Sequence, residues 1–184
     1  MASDTDICNI ALSYLGANKI IDISDKTFEA DICLLNYANV RDAVLEDVNW
    51  TFATKRIVLK SPDDPPPLFG FSNSFTLTND ILRVIRVNNN RGEWVKEGNK
   101  ILIDSDTIEI MAIVQVTDPQ RFPASFISAF ASRLAAEIAL PITSSSKHQD
   151  KMITMYTAKK KWAIGNDGRQ GVNRARTNSR RNIR

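Results

Sequence analysis

The chain has 184 residues, 43% of them hydrophobic and 24% charged, with two cysteines and one histidine. That composition suits a soluble globular chain with one ample core, or a core with an inserted lobe, and two cysteines without CxxC spacing beside one histidine leave little for a disulfide or a zinc site. The net charge of +3 is held unevenly: residues 165–184 carry six arginines and one acid, and the remainder has 18 bases against 20 acids, so basic chemistry belongs to the tail and not to the body.

In chain order, Ser3 and Asp6 stand at capping-box spacing at the start of a first helix, whose apolar face is Ile7, Cys8, Ile10, Ala11, Tyr14 and Leu15. Gly16 falls where a left-handed residue ends a helix. Ile20, Ile21 and Ile23 in the short link are expected to tuck under the helices. Residues 28–55 then read as a long helix ending in a tryptophan turn, with Ser24 as N-cap and Phe28, Cys33, Leu34, Tyr37, Val40, Val44 and Val48 at helical spacing. A stripe about 35 Å long needs other helices beside it. Cys8 and Cys33 fall on apolar helical positions and read as buried free thiols.

After Trp50 the pattern changes. Residues 57–59 start a strand, and the proline-rich stretch 62–67 reads as a surface loop. Phe69, Phe71 and Phe75 alternate with small or polar residues, residues 81–87 alternate likewise, and residues 93–103 read as a hairpin about Gly98-Asn99. Residues 107–116 are the longest strand expected. Pro123 suits the first turn of a third helix rich in alanine, which Pro141 is expected to end. Ser144 to Ser146 supply caps for a fourth helix over 147–164, stopped by Gly165 and Gly168. The predicted fold is α+β: a four-helix bundle (1–56 and 118–164), an antiparallel β-rich insertion between helices two and three (57–117), and an extended, flexible, Arg-rich arm (165–184).

Catalytic signals are weak. His148 is a lone polar residue near a helix start. Asp42, Glu46 and Asp47 read as a solvated helix face. Asp104-Ser105-Asp106 lacks the glycine and terminal glutamate of a calcium loop. Neither a P-loop nor a GxGxxG is present. Lys159, Lys160 and Lys161 read as a solvated run, and Trp50, Trp94 and Trp162 lack the basic interleaving of a base-stacking platform. Trp50 and Trp162 are expected in core or inter-subunit packing. No run reaches the ~20 apolar residues of a membrane span, and the acidic opening MASDTD is unlike a signal peptide. The sequence therefore points to a non-enzyme without cofactor or metal, made in a cytosol-like compartment.

The order of parts is similar to that of a known family. Ile10-Ala11-Leu12-Ser13-Tyr14-Leu15-Gly16 comes first. A long helix follows, with Tyr37 and Arg41, ending in Trp50-Thr51-Phe52-Ala53. After the β insertion, Phe122-Pro123 leads into Ser132-Arg133-Leu134-Ala135-Ala136-Glu137, then a helix with Tyr156 and Ala163 and a basic tail. From about residue 5 to 170 this resembles tail tubular protein A, the head-to-tail adaptor of short-tailed bacteriophages. The resemblance implies a virion protein at the head–tail junction, assembled in the host bacterial cytoplasm. It implies a homo-oligomeric ring of twelve copies between the portal protein and the tail nozzle (a tubular protein B-like partner). Double-stranded DNA passes through that ring without specific binding.

On that reading Arg169, Arg174, Arg176, Arg180, Arg181 and Arg184 form the portal-binding arm. Arg41, Asp42, Glu46 and Asp47 are candidates for subunit contacts, and Trp50 and Phe52 mark the junction of bundle and lobe. Two alternatives stay open: a head-completion ring protein of a long-tailed phage, and a nucleic-acid-binding protein that uses the basic arm.

Overall fold

The computed structural model describes residues 2–60, 62–63, 65–88 and 93–171. Helix α1 (Asp4–Leu15) carries the expected capping box, with the Ser3 and Asp6 side chains each bonded to the other's backbone N–H, and it ends on Gly16 at φ 69°. The link to the next helix is pinned by side chains. Asn9 bonds both the N–H and the carbonyl of Ile20 at 2.9 Å, and the Asp25 carboxylate accepts from the N–H groups of Ile21 and Asp22. Ile20 is buried as expected, whereas Ile21 points into solvent, because the pinned backbone alternates its side chains.

Helix α2 spans Phe28–Glu46 and is shorter than the sequence pattern suggests. Thr27, not Ser24, is its N-cap, because Thr27 Oγ1 reaches the Ala30 N–H, whereas the Ser24 hydroxyl is turned back to Asp22. At the other end two distant groups take up terminal carbonyls: Trp50 Nε1 donates to Val44 at 2.8 Å, and Arg83 Nε donates to Glu46 at 2.8 Å. A cation at a helix C-terminus also favours the helix dipole. Cys33, Tyr37, Val40 and Val44 face inward, but Phe28 and Leu34 are exposed and Arg41 takes an inward position instead. Cys8 and Cys33 are buried and free. A hydrogen bond with Cys33, reinforced by burial, pushes the Cys8 thiol up, away from the reactive thiolate.

Among the described residues six strands follow, in two antiparallel sheets of three. The first has the order β1 (Thr54–Leu59), β6 (Ile108–Val114), β3 (Ile81–Asn88). The second has the order β2 (Asn73–Thr76), β5 (Lys100–Ile103), β4 (Trp94–Glu97). The expected Gly98-Asn99 hairpin joins β4 to β5, with Gly98 at φ 56°. β3, not β6, is the longest strand, and it carries two register shifts against β6. The alternation at Phe69 and Phe71 makes no strand: the prolines and Gly70 at φ 89° hold an open loop, and pairing begins only at Asn73.

Helix α3 (Ala124–Thr143) passes through Pro141 and ends on Ser144 at φ 52°. Pro141 is tolerated because it lies in the last turn and costs one intrahelical bond, the one its missing N–H would give the Glu137 carbonyl. Among the described residues α3 is the helix long and apolar enough to cross a membrane, with 20 residues and mean hydropathy 1.3, more than the composition alone suggested. Its Phe126, Phe130, Leu134 and Ile138 and five of its alanines are buried in this chain. Helix α4 spans Ser146–Gly171, so Gly165 and Gly168 do not stop it.

The packing gives two apolar clusters. The first joins α1, α2 and α4 around α3 and takes in Ile113 of β6 and Val116 two residues past its end. The second lies between the two sheets, where Ile108, Ile110 and Ala112 meet Phe75, Ile101 and Ile103. Partly buried Leu82 and Ile85 of β3 pack on the helical cluster, while Val84 packs on the inter-sheet cluster. The first sheet is therefore the middle layer: the second cluster lies wholly within residues 57–117, and the helical cluster also draws on Leu82, Ile85, Ile113 and Val116.

Candidate functional site

The junction is built on aromatic rings. Trp50 is fully buried and meets the Phe126 ring edge-on at 5.2 Å. Phe52 stands 5.0 Å from Phe126, Phe122 4.9 Å from Phe126, and Tyr37 5.0 Å from Phe130. Edge-to-face and tilted pairs of this kind contribute about 0.5–1.5 kcal/mol each beyond their buried area. The predicted junction residues Trp50 and Phe52 are thus brought together on α3, in the helical cluster.

Sequence reasoning missed the strap across this junction. The 3-10 turn Thr51–Ala53 starts with the N–H and hydroxyl of Thr51 both donating to Asp167, at 2.9 and 2.8 Å. Asp167 is buried and reaches back across 116 residues. It acts as an N-cap supplied by another part of the chain. The one visible signal was that Asp167 is the single acid in an arginine-rich segment. Residues 165–171 therefore belong to the folded body and not to a flexible arm, which corrects the expected boundary. Of the predicted arm residues, Arg169 lies on α4 and is exposed. Arg174, Arg176, Arg180, Arg181 and Arg184 lie outside the described residues.

Three of the four residues expected to meet a neighbouring subunit have partners inside the chain. Arg41 is buried and forks onto Asp42, Nε to Oδ1 at 2.8 Å and Nη2 to Oδ2 at 3.1 Å. Asp42 Oδ2 also accepts from Gln115 Nε2 at 2.7 Å, which ties α2 to the end of the first sheet. Asp47 accepts from Tyr156 Oη at 2.7 Å and from Lys160 Nζ at 3.1 Å. Partial burial acts to raise the Asp47 carboxyl, but these two donors outweigh it and hold the carboxyl below its ordinary value. Burial, then the bond to Asp47, raises the Tyr156 hydroxyl. Burial, then a 2.7 Å bond to Asp4, does the same to Tyr37. Glu46 is exposed, as is Asp47 despite its two donors.

The lysine run on α4 also divides. Lys159 donates to Tyr14 Oη at 2.6 Å and lies over that ring, Lys160 is taken by Asp47, and Lys161 faces out. His148 is exposed beside a cleft of about 400 Å³ at the far end of the helices, shared with Phe28 and Ile142. Among the described residues no three histidine, cysteine or carboxylate side chains are placed to hold a metal ion.

Several features stand on the outer surface of the described residues. On the first sheet, Arg56 and Arg86 both stand opposite Met111, one from each neighbouring strand, over a groove of about 410 Å³. The loop after three prolines presents Leu68 and Phe69, 98% and 87% exposed. Trp162, expected in packing, is 60% exposed on α4. Compared with family models and with curated proteins, the chain finds no match.

Proposed function

We propose that the chain is a non-enzymatic head-to-tail adaptor of a short-tailed bacteriophage. It is read as a four-helix bundle with an inserted β lobe, and as one copy of a ring between a portal and a tail nozzle. The observation that carries this is the order of parts. Two helices, a tryptophan turn, a lobe of strands and two further helices follow one another as in tail tubular protein A, and Trp50 and Phe52 form the predicted turn. In this reading the helices stand side by side around a DNA channel. The near-neutral body suits DNA that slides, since a strongly basic lumen would hold phosphates.

The arm beyond Gly171, with Arg174, Arg176, Arg180, Arg181 and Arg184, docks on the portal through forked bonds to carboxylates. The lobe carries the nozzle contact, and its proline-braced Leu68 and Phe69 are the anchors it offers. A braced loop loses little freedom on binding.

Negative-stain microscopy of the protein mixed with a portal tests the assignment: a rotationally symmetric ring on one portal face is the expected image. A chain ending at Gly171 keeps the Asp167 strap, so it should fold as the full chain does and fail to join the portal. Normal attachment of that shortened chain refutes the arm's role. Binding of the free chain to nucleic acid, steeply weakened by salt and lost with the arm, would favour the nucleic-acid reading instead.

A further inference from the structure

Two helix faces point away from the core, and each has a stripe at helical spacing. On α2 the stripe is Asp31, Leu34, Leu35 and Ala38, all exposed. On α4 it is Lys151, Ala158, Lys161, Trp162, Gly165 and Arg169, all exposed. Both stripes have an apolar centre, with Leu35 71% and Trp162 60% exposed. Their charges are opposite. Helix α2 has four acids and one base, and that base is spent on Asp42. Helix α4 has six bases and two acids; Lys159, Lys160 and Asp167 are taken by Tyr14, Asp47 and Thr51, which leaves Lys147, Lys151, Lys161 and Arg169 against Asp150.

We propose that these faces are two halves of one contact between copies of this chain, with α4 of one copy lying on α2 of the next. Trp162 covers Leu34 and Leu35, and Lys151 and Lys161 meet the acids of α2. Ala38, Ala158 and Gly165 allow the backbones to approach. The occupant follows from charge. Two α2 faces, or two α4 faces, would set like charges together, so neither stripe pairs with its own image. Within one copy both helices are packed on α3, and each stripe is turned away from it. Such a contact is heterologous: each copy offers one face of each kind, and repetition closes into a ring or runs on as a filament. This gives the ring of the adaptor reading its contact and to that extent rests on that reading.

Leu35→Ser and Trp162→Ser each remove one apolar centre without adding charge. Both positions are exposed, so the thermal unfolding of each variant should match the parent. In sedimentation velocity the parent should grow with concentration and shrink with salt. Each variant should associate at least about tenfold more weakly, as loss of a central anchor implies. An equimolar mixture of the two keeps one intact contact, α4 of the Leu35→Ser chain on α2 of the Trp162→Ser chain. It should give a two-chain complex that grows no further. A parent that stays monomeric to its highest soluble concentration overturns the proposal, and so does a mixture no larger than either variant alone. A portal-bound ring seen despite such a failure would leave the adaptor reading standing and this contact wrong. The two-chain complex without portal binding would mean the reverse.

Discussion

Asp167→Ala is the sharpest probe of how the molecule is held together. The substitution removes the two bonds from Thr51, one to a backbone N–H and one to a hydroxyl. Thr51 is itself exposed, so water replaces part of what is lost. A lost N-cap costs about 0.5–2 kcal/mol and a side-chain hydrogen bond about 1 kcal/mol. The sum is about 2 kcal/mol, a fall of about 4–8 °C in Tm for a chain of this size. The local effect should be larger than the global one. Gly165 and Gly168 each disfavour helix by about 1 kcal/mol relative to alanine, so the last turns of α4 depend on the strap. Without it the helix should end near Ile164. Amide hydrogen exchange over 165–171 reads this directly, and a cycle with Thr51→Val should show a coupling of about 1 kcal/mol. Unchanged Tm together with unchanged protection over 165–171 would refute the reasoning.

Trp50→Ala should cost about 3–5 kcal/mol, because it opens a cavity against Phe126 and leaves the Val44 carbonyl without its donor. Since Trp50 lies in the helical cluster, urea unfolding followed by far-UV circular dichroism should lose helix and strand signals together at a lower midpoint. Gly168→Ala should raise Tm by about 2–4 °C: nothing lies within 4 Å of the added methyl, and alanine favours the helix by about 1 kcal/mol. For Asp47 the folded carboxyl is held below the ordinary 3.8, so its stabilising effect is present above that pH and is lost as pH falls through the folded value. Urea midpoints measured from pH 6 down to pH 2 should fall in that acid window. Asp47→Asn should flatten the fall.

What the sequence revealed was local chemistry. The capping box at Ser3, the glycine stop at Gly16 and the Gly98-Asn99 hairpin are fixed by a few adjacent residues, and each stands where spacing placed it. The errors share a cause: the deciding contact is one that the local pattern does not show. Helix α2 ends at Glu46 because Trp50 and Arg83 take its carbonyls. Helix α4 outruns two glycines because Thr51 holds Asp167. Arg41 reads as a surface residue by its charge, yet it falls on the inward stripe, where Asp42, itself held by Gln115, pairs with it. Leu34 reads as core by spacing alone, but the core stripe runs through Ala30, Cys33, Tyr37 and Val40, and Leu34 falls beside it. Periodicity finds the helix, while the polar partner decides which face turns in.

Helix α4 shows why the candidate surface and the junction are not independent. Its inner face packs on α3 through Met152, Tyr156 and Ala163, its Asp167 straps the tryptophan turn, and its outer face carries Trp162 and Arg169. Trp162 lies within two turns of Asp167, just before the stretch that two glycines weaken, while Gly165 and Arg169 of the outer stripe lie on it. The strap therefore fixes the end of that stripe and the place from which the chain beyond Gly171 departs. In the adaptor reading, that makes the junction a common support for two contacts: the neighbouring copy meets the stripe, and the portal meets the arm that starts where the stripe ends. Asp167, buried at the junction, then governs association without touching either partner, because it decides whether the last turns of α4 exist as a helix at all.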